Sequence, residues 1–154
     1  FHPFRNRHAV NSDWNNHVLV LGFGSAGDYV IQPFIERGDL VVVVDEDPAV
    51  VAKLQAKGKV TAIRGDGADR ALLDQLHARK SRVILASMRR TEEAAGVLKY
   101  VDGAAPVFAR VFEPEDGERI ESLGGIPILN SMASSEAFMS WYKTIGQDIC
   151  NSKK

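Results

Sequence analysis

Cysteine occurs once, as Cys150, so the chain can close no internal disulfide and offers no CxxC pair to a zinc ion. A lone thiol in a polar C-terminal stretch fits a reducing compartment, which makes the cytosol the expected location. Histidine is scarce as well. His2 and His8 lie in the first stretch, His17 directly precedes the first apolar run, and His77 falls in a helical segment beside Arg79 and Lys80. None has a His or Cys companion at metal-ligand spacing, so no metal site is expected. No apolar run approaches the roughly 18 to 20 residues that cross a bilayer. The first residues hold neither the apolar block of a signal peptide nor an initiator Met, and the sequence reads as part of a longer protein. Excess charge is also missing: 19 Lys and Arg balance 20 Asp and Glu, a formal net charge of -1. That balance excludes the broad, salt-dependent attraction by which proteins grip nucleic acid. A GxSxG elbow is absent, and Gly58-Lys59 follows no GxxxxG, so there is no Walker loop.

What is present is a chain of 154 residues, 45% hydrophobic, enough for one domain with its own core. Residues 1–16 show no period of 2 or 3.6 and read as a linker or tail; residues 147–154 read as a C-terminal tail. Between them, over residues 17–146, short β-branched runs alternate with amphipathic stretches. The expected strands are Val18 to Leu21, Leu40 to Val44, Val60 to Ile63, Val83 to Ala86, Val107 to Val111 and Ile126 to Leu129. Their apolarity is continuous rather than alternating, which means burial on both faces and a parallel sheet covered by helices. The expected fold is α/β and doubly wound, with six parallel strands. Asp47-Pro48 should cap and start the second helix, and Gly38 and Gly103 suit left-handed helix ends. Pro33 falls inside the first helix and predicts a bend there. Phe138, Trp141, Tyr142 and Ile145 make an i, i+3, i+4, i+7 stripe on a last helix. That stripe is either a contact with a second subunit or a transporter, or part of the domain's own core.

The chemistry concentrates in Gly22-Phe23-Gly24-Ser25-Ala26-Gly27, between the first strand and the first helix. Gly22 suits a tight turn, Gly24 lets backbone approach a pyrophosphate, and Gly27 lets helix and strand pack closely. The helix N-terminus offers unpaired N–H groups to the phosphates. Asp45 follows at roughly the 20-residue interval at which an acid accepts the adenosine ribose hydroxyls, and it would repel a 2'-phosphate. NAD is therefore favoured over NADP. A loop that serves packing alone is the competing reading. Next to Asp45, Glu46 is a solvated acid at the same strand end. In Gly65-Asp66-Gly67-Ala68-Asp69, Asp66 either accepts from an adenine amino group or, like Asp69, caps the third helix. Ser87, Arg89 and Arg110 fall at the carboxyl ends of the fourth and fifth strands, where ligands of open α/β sheets lie. Arg110 is a candidate for a ligand or partner-subunit contact, with a structural ion pair as its alternative. No catalytic constellation is visible, and six strands with their helices leave no residues for a substrate domain, so no enzyme activity is expected. The alternative is the NAD-binding domain of a truncated oxidoreductase.

Taken together, VLVLGFGSAG (Val18 to Gly27), VVVVDEDP (Val41 to Pro48), GDGAD (Gly65 to Asp69), ARV (Ala109 to Val111) and a sixth strand ending IPILN resemble a known family. It is the N-terminal Rossmann domain of the regulator-of-potassium-conductance proteins, the RCK or TrkA-N type, and the resemblance covers about residues 17–145. It implies a regulatory domain at the cytoplasmic face of the cell membrane, dimeric, that binds NAD(H) or an AMP-type nucleotide and gates potassium or cation transport. Asp45 would then hold ribose and Asp66 the adenine end. Members that bind a triphosphate often carry Arg where this chain has Ser25, which makes ATP the weaker candidate. The family's frequent C-terminal subdomain is not expected within these residues, which fits either the cytosolic ends of Kef-type cation/proton antiporters or a piece of a longer member. The implied partner is a membrane channel or antiporter, in the same chain or as a separate subunit.

Overall fold

Every residue of Val18–Leu21 is buried, as a strand flanked by two others and covered on both faces must be. The computed structural model describes residues 10–11, 13–24, 27–129 and 139–146. In chain order its elements are β1 (Val18–Leu21), α1 (Gly27–Glu36), β2 (Val41–Asp45), α2 (Pro48–Lys57), β3 (Thr61–Arg64), α3 (Arg70–Gln75), β4 (Val83–Ala86), α4 (Thr91–Val101), β5 (Val107–Val111), α5 (Pro114–Ser122) and β6 (Ile126–Leu129). The six strands form one sheet in the order β3-β2-β1-β4-β5-β6, and every pairing is parallel. The expected doubly wound fold is thus the observed one. Four strands match their expected bounds. The other two begin and end one residue later, because the β2–β3 ladder runs to the pair Asp45–Arg64 while Leu40 stays exposed.

Alternate residues of each strand feed two separate cores. Leu19, Leu21, Val42, Val44 and Ile84 meet Leu73 of α3, Val97 and Leu98 of α4 and Ile120 of α5. On the other face Val18, Val20, Val41, Val43 and Leu85 meet Ile31 and Phe34 of α1 and Leu54 of α2. Helix ends follow the local chemistry. Asp47 accepts from the Ala49 amide with Pro48 in the first turn, and Gly38 and Gly103 have φ of +79° and +80°. Pro33 lies inside α1, which nevertheless continues to Glu36.

Two expectations change. Trp141 packs edge-on against Phe108 and Tyr142 against Phe34, each with ring centroids 5.0 Å apart. Tyr142 is fully buried, and its hydroxyl accepts from Arg37. Tyr142 therefore belongs to this domain's own core, while Trp141 packs against that core half-buried, and residues Tyr142–Gly146 form a π-type turn instead of continuing an α-helical stripe. Phe138 lies outside the described residues. His77 is not in a helix but in a left-handed turn with φ of +53°, between α3 and the turn at Ala78–Lys80.

Ahead of β1, Trp14 is buried in the first core, 5.9 Å from the ring of His17. His17 is itself completely buried; its Nε2–H donates to the Leu76 carbonyl at 2.8 Å, and its Nδ1 has no hydrogen-bond partner among the described residues. Burial pushes its pKa below the usual 6.5, with the Leu76 bond opposing and His77 assisting. The unfolded chain consequently takes up a proton first as pH falls. Stability is complete above about pH 6.5 and declines below it, down to the folded-state pKa. Urea midpoints at pH 7 and pH 5.5 should differ in that direction, and His17→Leu should shrink the difference.

Candidate functional site

At the carboxyl ends of the central strands the ladder is handed on to the loops. The Gly22 amide donates to the Val44 carbonyl, Ser87 to Leu21 and Gly65 to Asp45, at 2.7, 2.7 and 3.1 Å. These loops enclose a cleft of about 540 Å³ at the point where the strand order reverses, between β1 and β4. Ligands of open α/β sheets bind at such a switch point. Gly22 has φ of +81°, and a Cβ there would stand 3.2 Å from the Ser87 backbone. Any side chain at Gly67 would run into Leu21, its Cβ at 2.9 Å. Both glycines thus let loops meet over the strand ends. Gly27 serves packing: the Phe23 ring occupies the space that its Cβ would need, and the residue does not line the cleft.

Asp45 organises the acidic half. One carboxylate oxygen accepts from the Phe23 amide of the glycine loop, the other from the Asp47 amide, each at 2.9 Å. A carboxylate has about four acceptor positions, so roughly two remain for ligand hydroxyls. Glu46 and Asp66 line the same half and are exposed. Asp66 turns its carboxylate to the Ala68 amide, while Asp69 caps α3 through the Ala71 amide. The cap expected of one of these two acids therefore belongs to Asp69, and Asp66 stands on the cleft wall.

The opposite half is cationic. Ser87, Met88, Arg89, Arg90 and Arg110 line it. Arg110 donates to the Ser87 carbonyl at 2.6 Å. Burial, and after it the charge of Arg89, lower the pKa of Arg110, although an arginine stays protonated at any physiological pH. Arg90 is paired with Glu93 at 2.9 Å, which raises its pKa. Of the residues expected here, Gly22, Phe23, Gly24, Asp45, Glu46, Asp66, Gly67, Ser87 and Arg110 do converge on one cleft. Ser25 and Ala26 lie outside the described residues. The sequence reading missed Val50 and Glu93 as lining residues; an apolar residue in the first turn of α2, and an acid three residues after Arg90, carry no signature of their own. Among the described residues no cluster of His, Cys, Asp and Glu is arranged to hold a metal, and no helix is long and apolar enough to cross a membrane.

The model of the TrkA-N domain matches residues 18–131. The chain belongs to the TrkA-N domain family. The Trk system potassium uptake protein TrkA of Streptomyces coelicolor is 25% identical over 111 residues, 70% of this chain and 50% of the relative. The chain thus spans about half the length of that curated relative. Among solved structures, the GsuK channel bound to NAD superposes with a TM-score of 0.69 at 23% identity, over 79% of this chain and 23% of the channel chain. The Kef CTD of Shewanella denitrificans in AMP-bound form gives 0.65 at 14% identity, over 90% of this chain and 88% of that one. At these identities the two structures establish the fold of this TrkA-N domain.

Asp45→Ala should weaken the domain even without ligand, because the Phe23 and Asp47 amides lose their acceptor. A loss of about 1 to 2 kcal/mol in urea unfolding is expected, and unchanged stability would mean that the carboxylate does not hold the loops together.

Proposed function

We propose that this TrkA-N domain is a regulatory nucleotide-binding module, which takes NAD(H) or an AMP-type nucleotide into the cleft at the β1–β4 switch point. The observation that carries the reading is Asp45. Its carboxylate sits at the end of β2, bonded to the glycine loop it faces, where an acid receives the ribose hydroxyls of adenosine. Phosphates then lie over Gly22–Gly24 and the start of α1, towards the cationic half, and Asp66 faces the adenine end. The acids of the β2–β3 side oppose a 2'-phosphate, so NADP is disfavoured; ATP is the weaker candidate for lack of Arg at position 25. The solved relatives named above carry NAD and AMP, which supports this choice.

The relatives also belong to a potassium uptake system, a channel and Kef. In the same reading the domain acts at the cytoplasmic face of the membrane, as a homodimer, on a potassium channel or cation/proton antiporter. Nucleotide occupancy shifts that partner's equilibrium between two states. It can do so only by as much as the ligand's affinity differs between them. The role is binding rather than catalysis.

The test is thermal unfolding of the wild type and Asp45→Ala with AMP, ADP, ATP, NAD, NADH and NADPH, each variant compared with its own ligand-free midpoint. A ligand at 100 times its Kd adds about 2.7 kcal/mol, roughly 5 to 10 °C for a domain of this size. A shift with NAD(H) or AMP, absent with NADPH and lost in Asp45→Ala, is expected. No shift with any nucleotide would overturn the reading.

A further inference from the structure

Arg110 is the penultimate residue of β5, on the side of the cleft opposite Asp45, and three distances help to place its guanidinium. One terminal nitrogen donates to the Ser87 carbonyl at 2.6 Å. The other stands 3.6 Å from the point a Cβ on Gly24 would occupy, so the group reaches across the end of β4 to the glycine loop. Its central carbon lies 5.2 Å from the ring centroid of Phe112. Phe112 is 43% exposed and is one of three large hydrophobic side chains left so among the described residues. Leu40, another of them, precedes β2 and so lies at the far end of the strands from the cleft. A single exposed apolar residue needs no explanation, but this one lends a ring face to a cation at the rim of the cleft.

We propose that Phe112 is a positioning residue for phosphate recognition, its ring holding the Arg110 guanidinium beside Gly24, where Arg110 contacts the phosphate of a bound adenine nucleotide. The proposal rests on the nucleotide reading above and adds what that reading leaves open, how the cationic half recognises its end of the ligand. A guanidinium carries five N–H donors in a rigid fork that matches phosphate oxygens. Holding it in place beforehand lowers the side-chain entropy lost when the ligand arrives. The surroundings favour an anion there. Arg89 presses a like charge on Arg110, and of the carboxylates lining the cleft, Asp45, Glu46, Asp47 and Asp66 belong to the β2–β3 side while Glu93 is paired with Arg90. A phosphate between Arg110 and the glycine loop relieves that repulsion, whereas adenosine alone does not reach it. Phe112 therefore acts on the phosphate term of binding and not on the nucleoside term.

The experiment is calorimetric titration of the whole chain with adenosine and with AMP, for the wild type, Phe112→Leu, Phe112→Trp and Arg110→Gln. Wild type should bind AMP more tightly than adenosine. Phe112→Leu keeps an apolar side chain but removes the ring face, and should weaken AMP about 2- to 30-fold with adenosine unchanged. Phe112→Trp should restore the AMP-to-adenosine ratio. Arg110→Gln should weaken AMP at least as much as Phe112→Leu does. A ratio that Phe112→Leu leaves at the wild-type value, or that Phe112→Trp fails to restore, overturns the role of Phe112. Equal wild-type affinity for adenosine and AMP overturns phosphate recognition by Arg110 and leaves nucleotide binding standing. Wild type that binds neither overturns the nucleotide reading, and this proposal with it.

Discussion

The Asp45 carboxylate is the contact on which the cleft depends. It joins the glycine loop, through the Phe23 amide, to the turn that starts α2, through the Asp47 amide. Its position is set in turn by the parallel register: Val18 pairs with Val41 and Leu21 with Val44 on one side of β1, and Leu21 with Ala86 on the other. Because side chains alternate, a slip of one residue would send Asp45 to the opposite face and exchange the two cores. The packing that fixes the register, with Leu19 and Val42 in one core and Val20 and Val43 in the other, therefore also aims the acid.

With the loops fixed in this way, the cleft is divided by charge. The carboxylates of Asp45, Glu46 and Asp66 line one side, and the guanidinium groups of Arg89 and Arg110 the other. A ligand with hydroxyls at one end and phosphate at the other fits that division in one orientation. Helix α1 links the cleft to the rest of the domain: it begins at Gly27 beside the glycine loop, and towards its other end Phe34 and Arg37 hold Tyr142 of the C-terminal segment.

The strands were legible because parallel strands buried on both faces need continuous apolar runs, and VLVL and VVVV have no competing periodicity. Asp47-Pro48 and the glycine loop were legible because each carries its own backbone requirement. Contacts made only by tertiary packing were not. Trp141 and Tyr142 read equally well as an outer stripe or as core; Phe34, far away in sequence, takes Tyr142 into the core, and Phe108 packs on one side of the half-buried Trp141. Trp14 sits in a stretch without periodicity yet is buried beside His17. Asp66 and Asp69 share the residue type that favours caps, and only the hydrogen bonds to the Ala68 and Ala71 amides separate their roles. The pairing of Arg110 with Phe112 had no signal in the sequence, since an Arg and a Phe two residues apart at a strand end are ordinary.

Whether the cleft at the β1–β4 switch point takes a nucleotide is read directly by a residue-resolved NMR titration of the domain with NAD and with AMP, following backbone amides. Saturable shifts are expected at Gly22, Phe23 and Gly24, at Asp45 and Asp47, and at Asp66 and Gly67, while Lys59 and Val60, which precede β3 at the opposite end of the sheet, stay unmoved. Saturable shifts centred elsewhere, or none up to millimolar nucleotide, would contradict binding in this cleft.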